Sequence, residues 1–157
     1  MSATKIFRVD RHLYWLYRLS YLSNISSLPF TGFISVVLRQ FIRVWASCDI
    51  SPTAEISRNC EFPHPLGIVI GDQAIVAENV MIWHGVTLGS HGKSGDEPSY
   101  PQINEGAKIF ANSTILGGVT IGKNSVVGAC SLVLTDVPDG ATAIGVPARI
   151  LTPSEAE

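Results

Sequence analysis

Four histidines, His12, His64, His84 and His91, hold most of the proton-transfer chemistry in this chain. An imidazole titrates near pH ~6.5 when unperturbed, so it accepts and returns protons at working pH. His64 is the most constrained of them. In "FPHPLGIVIG" it lies between Pro63 and Pro65, directly before a β-branched run that ends in Gly71. Prolines on both sides bias the backbone toward extended forms and fix the direction of the side chain. Two readings stand for His64: a proton acceptor, or a corner histidine satisfied by backbone carbonyls. His84 follows Trp83 in "IWHGVTLG", His91 lies in a Gly/Ser-rich stretch with Lys93, and His12 falls in a helical run where a structural role suffices. Cys48, Cys60 and Cys130 have no C-x-x-C spacing. They read as reduced and mostly buried, Cys130 included, which suits a cytoplasmic protein. No serine or cysteine sits in a nucleophile elbow. No Cys/His pair has ligand spacing, so no metal is expected.

Composition narrows the classes. The chain has 157 residues, 46% hydrophobic and 15% charged, with a formal net charge of −2. One domain is expected. The charged share is well below the usual quarter, so apolar surface must be covered by copies of the chain or by a membrane. No basic block marks a nucleic-acid binder. The N-terminus lacks the pattern of a signal peptide. In the most apolar window, Leu28 to Ala46, Arg39 and Arg43 argue against a membrane span.

The elements that must hold these residues fall into two kinds. Over residues 10–46 the period is helical. Leu13, Leu16, Tyr17 and Leu19/Tyr21 share one face, Asp10 is a candidate N-cap, and Pro29 with Thr31-Gly32 breaks the run. A second helix carries Phe33, Val37, Phe41 and Val44/Trp45 on one stripe and Arg39 and Arg43 on another. These helices are expected to pack on the rest of the domain or on a neighbouring subunit; a peripheral membrane contact is the alternative.

From Ile50 the period is six. Large apolar residues stand at Ile50, Ile56, Phe62 and Ile68, then after a two-residue slip at Ile70, Val76, Ile82 and Leu88. After a longer gap they return at Ile103, Ile109, Ile115, Ile121, Val127 and Val133. Small or β-branched residues follow four places later, among them Ala54, Ala74, Val86, Ser113 and Ser131. This is the hexapeptide β-helix spacing. It predicts a three-sided prism whose large side chains stack on counterparts eighteen residues away. Asn79, Asn112 and Asn124 suit left-handed corners. The interruption at residues 89–102 is expected to extrude as a loop, and loops on rigid scaffolds tend to carry function. The prediction divides the chain into a helical segment at 1–48, a β-helix at 49–138 and a terminal cap at 139–157. On such a prism His84, two residues after inward Ile82, points outward from a flat side. It is about one coil beyond His64.

At this point the motifs become specific. "GIVIG", the "VTLG" loop segment, "GAKIFANSTILGGVTIGKNSVVGACSLVLTDVP" and "GVPARI" resemble the hexapeptide-repeat acyltransferases over residues 50–151. Within that family the chain is similar to the serine O-acetyltransferases and to shorter relatives that acetylate sugars for exopolysaccharide synthesis, including the colanic-acid type. The resemblance implies a mainly β fold: a left-handed parallel β-helix with a small N-terminal helical segment, assembled as a homotrimer with sites between subunits. It implies acetyl-CoA as co-substrate and His64 as general base. Pro63 stands where the serine enzymes carry an aspartate, and Tyr100 where they carry a second histidine; His91 and Tyr100 are the candidates to replace that histidine. Their longer helical N-terminal domain is not in this sequence. The resemblance therefore implies a sugar hydroxyl as acceptor first and serine second, with a non-catalytic trimeric scaffold as the reading from another class. His84 is a candidate substrate or cofactor contact. Gly89, Gly117, Gly118 and Ala129 would let a pantetheine arm approach closely. Arg149 would meet the phosphate end, with Lys123 as a second cation.

Overall fold

The computed structural model describes residues 9–26, 30–92 and 100–152. Lys93 and the remainder of the predicted loop up to residue 99 lie outside the described residues. The chain begins with two helices, α1 (Val9–Ile25) and α2 (Thr31–Ala46). Asp10 lies inside α1 and not ahead of it. Leu13, Tyr14 and Tyr17 of α1 and Ile42 of α2 are buried, and the Ser20 hydroxyl donates to the Ser35 carbonyl at 3.2 Å where the helices meet.

The second helix turns the opposite way from one expectation. Phe33, Val37, Phe41, Val44 and Trp45 are all exposed on the chain, while Ser35 and Ile42 face inward. The reason is electrostatic as well as steric. Arg39 and Arg43 both reach Asp49, which begins the β-region, and so the arginine side of α2 faces the β-helix.

Thirteen short parallel strands and a closing antiparallel one follow. Side one of the prism holds β1 (Asp49–Ile50), β3 (Val69–Ile70), β6 (Thr87–Gly89), β9 (Thr114–Leu116) and β12 (Leu132–Val133). Side two holds β2 (Glu55–Ile56), β4 (Ile75–Val76), β7 (Gln102–Ile103) and β10 (Thr120–Ile121). Side three holds β5 (Met81–Ile82), β8 (Lys108–Ile109), β11 (Val126–Val127), β13 (Thr142–Ile144) and β14 (Arg149–Leu151), the last two forming an antiparallel hairpin. The winding is left-handed, an exception to the usual right-handed crossover.

The register follows the hexads. Ile103 pairs with Ile121 and Ile109 with Val127, eighteen residues apart. Ile56 pairs with Val76, twenty apart, which absorbs the two-residue slip. Val76 pairs with Ile103, twenty-seven apart, so the loop adds nine residues to one turn without disturbing the stack. Every large hexad residue from Ile50 to Val133 is buried, as are the small residues four places later. Full burial of one such isoleucine contributes roughly 1.5–3 kcal/mol.

The corners need left-handed backbone. Asn79, Asn112 and Asn124 have φ of 58°, 58° and 54°, and Gln73 and Cys130 join them at 59° and 58°. Cys130 is therefore an exposed corner residue, contrary to expectation; the buried place belongs to its neighbour Ser131. Cys48 and Cys60 are buried, and burial raises both thiol pKa values.

Candidate active site

The corner between sides three and one carries His64 and His84. It is a column of backbone hydrogen bonds. Gly67 N–H donates to Ser47 O at 3.0 Å, and Gly85 N–H to Leu66 O at 2.8 Å. Asn112 N–H donates to His84 O at 2.9 Å, and Cys130 N–H to Ala111 O at 2.9 Å. At the top, Ala148 N–H donates to Leu132 O at 2.7 Å, which seats the "GVPAR" turn on the same corner. The two histidines thus occupy adjacent coils, about 4.8 Å apart in backbone spacing. Ala129 is three coil spacings above His64, roughly 14 Å.

His64 is exposed with φ 53°, and its carbonyl accepts from Leu66 N–H at 2.8 Å. The expectation of extended backbone fails here. The corner requires a left-handed residue, and histidine takes that conformation more readily than most. The backbone at His64 is set by a tight turn around Pro65 instead of by an extended run.

His84 sits at the corner after β5, not on a flat side. It is half-buried, and its Nδ1 is a buried atom with no hydrogen-bond partner. Beside it Trp83 stacks on Phe110 of the next coil, with centroids 4.5 Å apart and planes at 20°. Gly85 has φ 67°, and a Cβ there would come within 2.1 Å of Asn112 Oδ1. Glycine is the residue this close approach permits.

His91 and Tyr100 stand at the next corner, between sides one and two. A Cβ on Gly71 would lie 2.3 Å from Tyr100 Cε1, so the tyrosine ring rests on that glycine. A Cβ on Gly117 would lie 2.8 Å from His91 Cδ2, so the His91 ring fills the space expected to be open there. From Gly67 to Gly71 the chain crosses one flat side in four steps, roughly 13 Å. Within one chain, then, His64 is a full side away from both candidate partners.

The residues assigned to the pantetheine arm and the phosphates are divided likewise. Ala129 is on the His64 corner, and exposed Arg149 opens β14 just past the turn seated there. Gly89, Gly117 and Gly118 are on the second corner, with Gly89 facing the Leu116 side chain. Lys123 is on the third, where its N–H donates to Asp139 Oδ1 at 2.6 Å. Among the described residues, no group of three His, Cys, Asp or Glu side chains could hold a metal ion.

One charged group was not singled out from the sequence. Asp49 receives Arg39 Nε at 2.8 Å and also pairs with Arg43. Burial tends to raise its pKa, but the hydrogen bonds from Arg43 and Arg39 outweigh that and hold the carboxyl below its ordinary value. Its sequence signal was weak: an aspartate one residue ahead of the first hexad, with its partners six and ten residues upstream.

Residues 100–135 match the bacterial transferase hexapeptide family, described as six repeats. Those residues of the β-helix carry the hexapeptide repeat of that family. The chain is 43% identical over 124 residues to the serine acetyltransferase of Haemophilus influenzae, covering 78% of this chain and 46% of that protein. It is 34% identical over 140 residues to the serine acetyltransferase of Bacillus pumilus, covering 89% and 63%. Among solved structures, a serine acetyltransferase in complex with cysteine matches at a TM-score of 0.85 and 36% identity, covering 97% of this chain and 58% of that one. A serine acetyltransferase in complex with CoA matches at 0.82 and 36%, covering 92% and 58%. The chain spans about half the length of the curated relatives it matches. These relatives carry the second of the two acceptors weighed above, and not the sugar placed first.

Proposed function

We propose that this protein is an acetyl-CoA-dependent O-acetyltransferase with serine as its acceptor. The observation that carries the reading is His64, held by a tight left-handed turn with its side chain exposed, at the foot of a corner column that leads to Ala129 and Arg149. In one step His64 takes the proton from the acceptor hydroxyl as that oxygen attacks the thioester carbonyl. The tetrahedral intermediate then collapses, the C–S bond breaks, and the imidazolium returns its proton to the departing thiolate. A positioned base supplies roughly 10²–10⁴-fold, and holding both substrates together supplies much of the rest.

A homotrimer completes the site. Tyr100 and His91 lie a full side away from His64 on their own chain, and a neighbouring prism set corner to corner would bring its second corner to the first. The pantetheine arm would then run along the His64 column, with Arg149 pairing with phosphate. Similarity to serine acetyltransferases supports serine as acceptor. A sugar hydroxyl is the second reading. It is favoured by Pro63 and Tyr100, which replace the aspartate and histidine that the resemblance implies for serine enzymes.

The test is release of free thiol from acetyl-CoA by the purified protein with serine and with a panel of sugars. Release with serine alone supports the proposal, and release with a sugar alone supports the second reading. No release with any acceptor, together with no CoA binding by calorimetry, would leave a scaffold.

A further inference from the structure

His84 differs from the other histidines in how its two nitrogens are placed. Nδ1 is buried and unpartnered, and among the described residues it is the only buried side-chain nitrogen or oxygen in that state. The residue as a whole is half-buried, and Nε2 is not among the buried side-chain atoms that lack a partner. The two nitrogens therefore differ: Nδ1 is sealed without a partner and Nε2 is not. The backbone of the residue is clamped, since its carbonyl accepts from Asn112 N–H on the coil above and Gly85 N–H donates to Leu66 O on the coil below. Trp83 is fixed beside it by its stack on Phe110.

This asymmetry decides where the proton sits. A neutral imidazole has one N–H and one bare nitrogen. A proton on Nδ1 would bury a donor with nothing to receive it. A proton on Nε2 leaves only a lone pair unsatisfied inside, and orphaned buried N–H groups are the rarer and costlier kind. Nε2 is then a fixed N–H donor at the corner that also carries His64, one coil away.

We propose that His84 is held as the Nε2–H tautomer and donates that proton, as a hydrogen bond, to the oxyanion formed when the acceptor attacks the thioester. It stabilises developing charge and does not act as a second base. No bond to hydrogen breaks at His84 during the cycle; the proton is shared with the oxyanion and kept when the carbonyl reforms. This role rests on the acetyl-transfer reading, but the tautomer does not.

Two measurements test it on the full chain. The ring ¹⁵N shifts of His84 in histidine-labelled protein, assigned against His84→Gln, report the tautomer without any turnover. In the neutral ring hydrogen is expected on Nε2, and hydrogen on Nδ1 overturns the proposal. The second is turnover of two variants. A glutamine amide places an N–H near the position of Nε2, whereas leucine keeps the bulk and removes the donor. His84→Leu is expected to lose about 10²-fold in kcat with little change in KM for acetyl-CoA, and His84→Gln to stay within about tenfold of wild type. Wild-type turnover in His84→Leu, or equal losses in both variants with unchanged melting, would overturn the donor role. If the wild-type protein transfers acetyl to no hydroxyl at all, the functional reading and the donor role fall together, while the ¹⁵N spectrum still decides the tautomer.

Discussion

Tyr17→Phe should uncouple the helices from the β-helix at a cost the structure lets us work out. β2 is the outer strand of side two, so one edge of its backbone has no strand to pair with. Tyr17 supplies the missing partner: its hydroxyl donates to Ala54 O at 2.5 Å and accepts from Ile56 N–H at 3.3 Å. The side chain is 1% exposed, so water cannot replace it. Removing the oxygen strands one buried carbonyl and one N–H. At about 1–3 kcal/mol for each unsatisfied group, and with the second bond long, roughly 2–4 kcal/mol is expected. For a chain of this size each kcal/mol moves the midpoint by about 2–4 °C, giving a fall of about 4–16 °C. Thermal unfolding at fixed protein concentration is the assay. A pH series adds a check. Burial is the main cause that pushes the Tyr17 pKa up to about 12. A raised folded pKa means that its contribution is intact below about pH 10 and is lost as pH rises toward about 12. Wild type should lose more stability across that window than Tyr17→Phe. A variant as stable as wild type, with the same alkaline limb, would refute the edge-capping argument.

Three further outcomes follow from the same geometry. Asp49→Asn should flatten the acid limb of stability, because a carboxyl held below its ordinary pKa contributes above about pH 4 and loses that contribution as pH falls through its folded value; an unchanged acid unfolding curve would contradict the pairing with Arg39 and Arg43. Gly71→Ala should push the Tyr100 ring away by more than about 1 Å, because the added Cβ would fall 2.3 Å from its Cε1, lowering turnover roughly 10–100-fold with little loss of melting temperature; wild-type turnover would remove Tyr100 from the site. Ile109→Ala, in a fully buried position between Ile82 and Val127, should cost about 2–5 kcal/mol by denaturant unfolding, and a loss below about 1 kcal/mol would mean that the stack is not the core.

The prism was legible because its physics is periodic. A side chain every sixth residue must be apolar if it faces the axis, so Ile50 to Val133 could be sorted into inside and outside by counting. The corners were harder. Cys130 and Ser131 are neighbours with opposite fates, and only the left-handed turn at Cys130 separates them. His64 shows the same thing: two flanking prolines suggest extended chain, but the corner overrides them. The apolar stripe on α2 follows its sequence spacing, yet no described residue of this chain covers it. The inward face of α2 carries Ser35 and Ile42, and its arginines pair with Asp49, a residue with no helical signal of its own. The division of the candidate site between two corners was not legible either. Register on the prism depends on the two-residue slip and the nine-residue insertion together, and the pairings of Val76 with Ile56 and with Ile103 fix both.

The central claim is that His64 takes the acceptor proton, and the direct measurement is acetyl-CoA turnover by His64→Ala beside CoA binding by the same protein. The account predicts intact CoA affinity and assembly with turnover reduced by about 10²–10⁴-fold. Turnover equal to wild type in a folded, CoA-binding His64→Ala protein would contradict it.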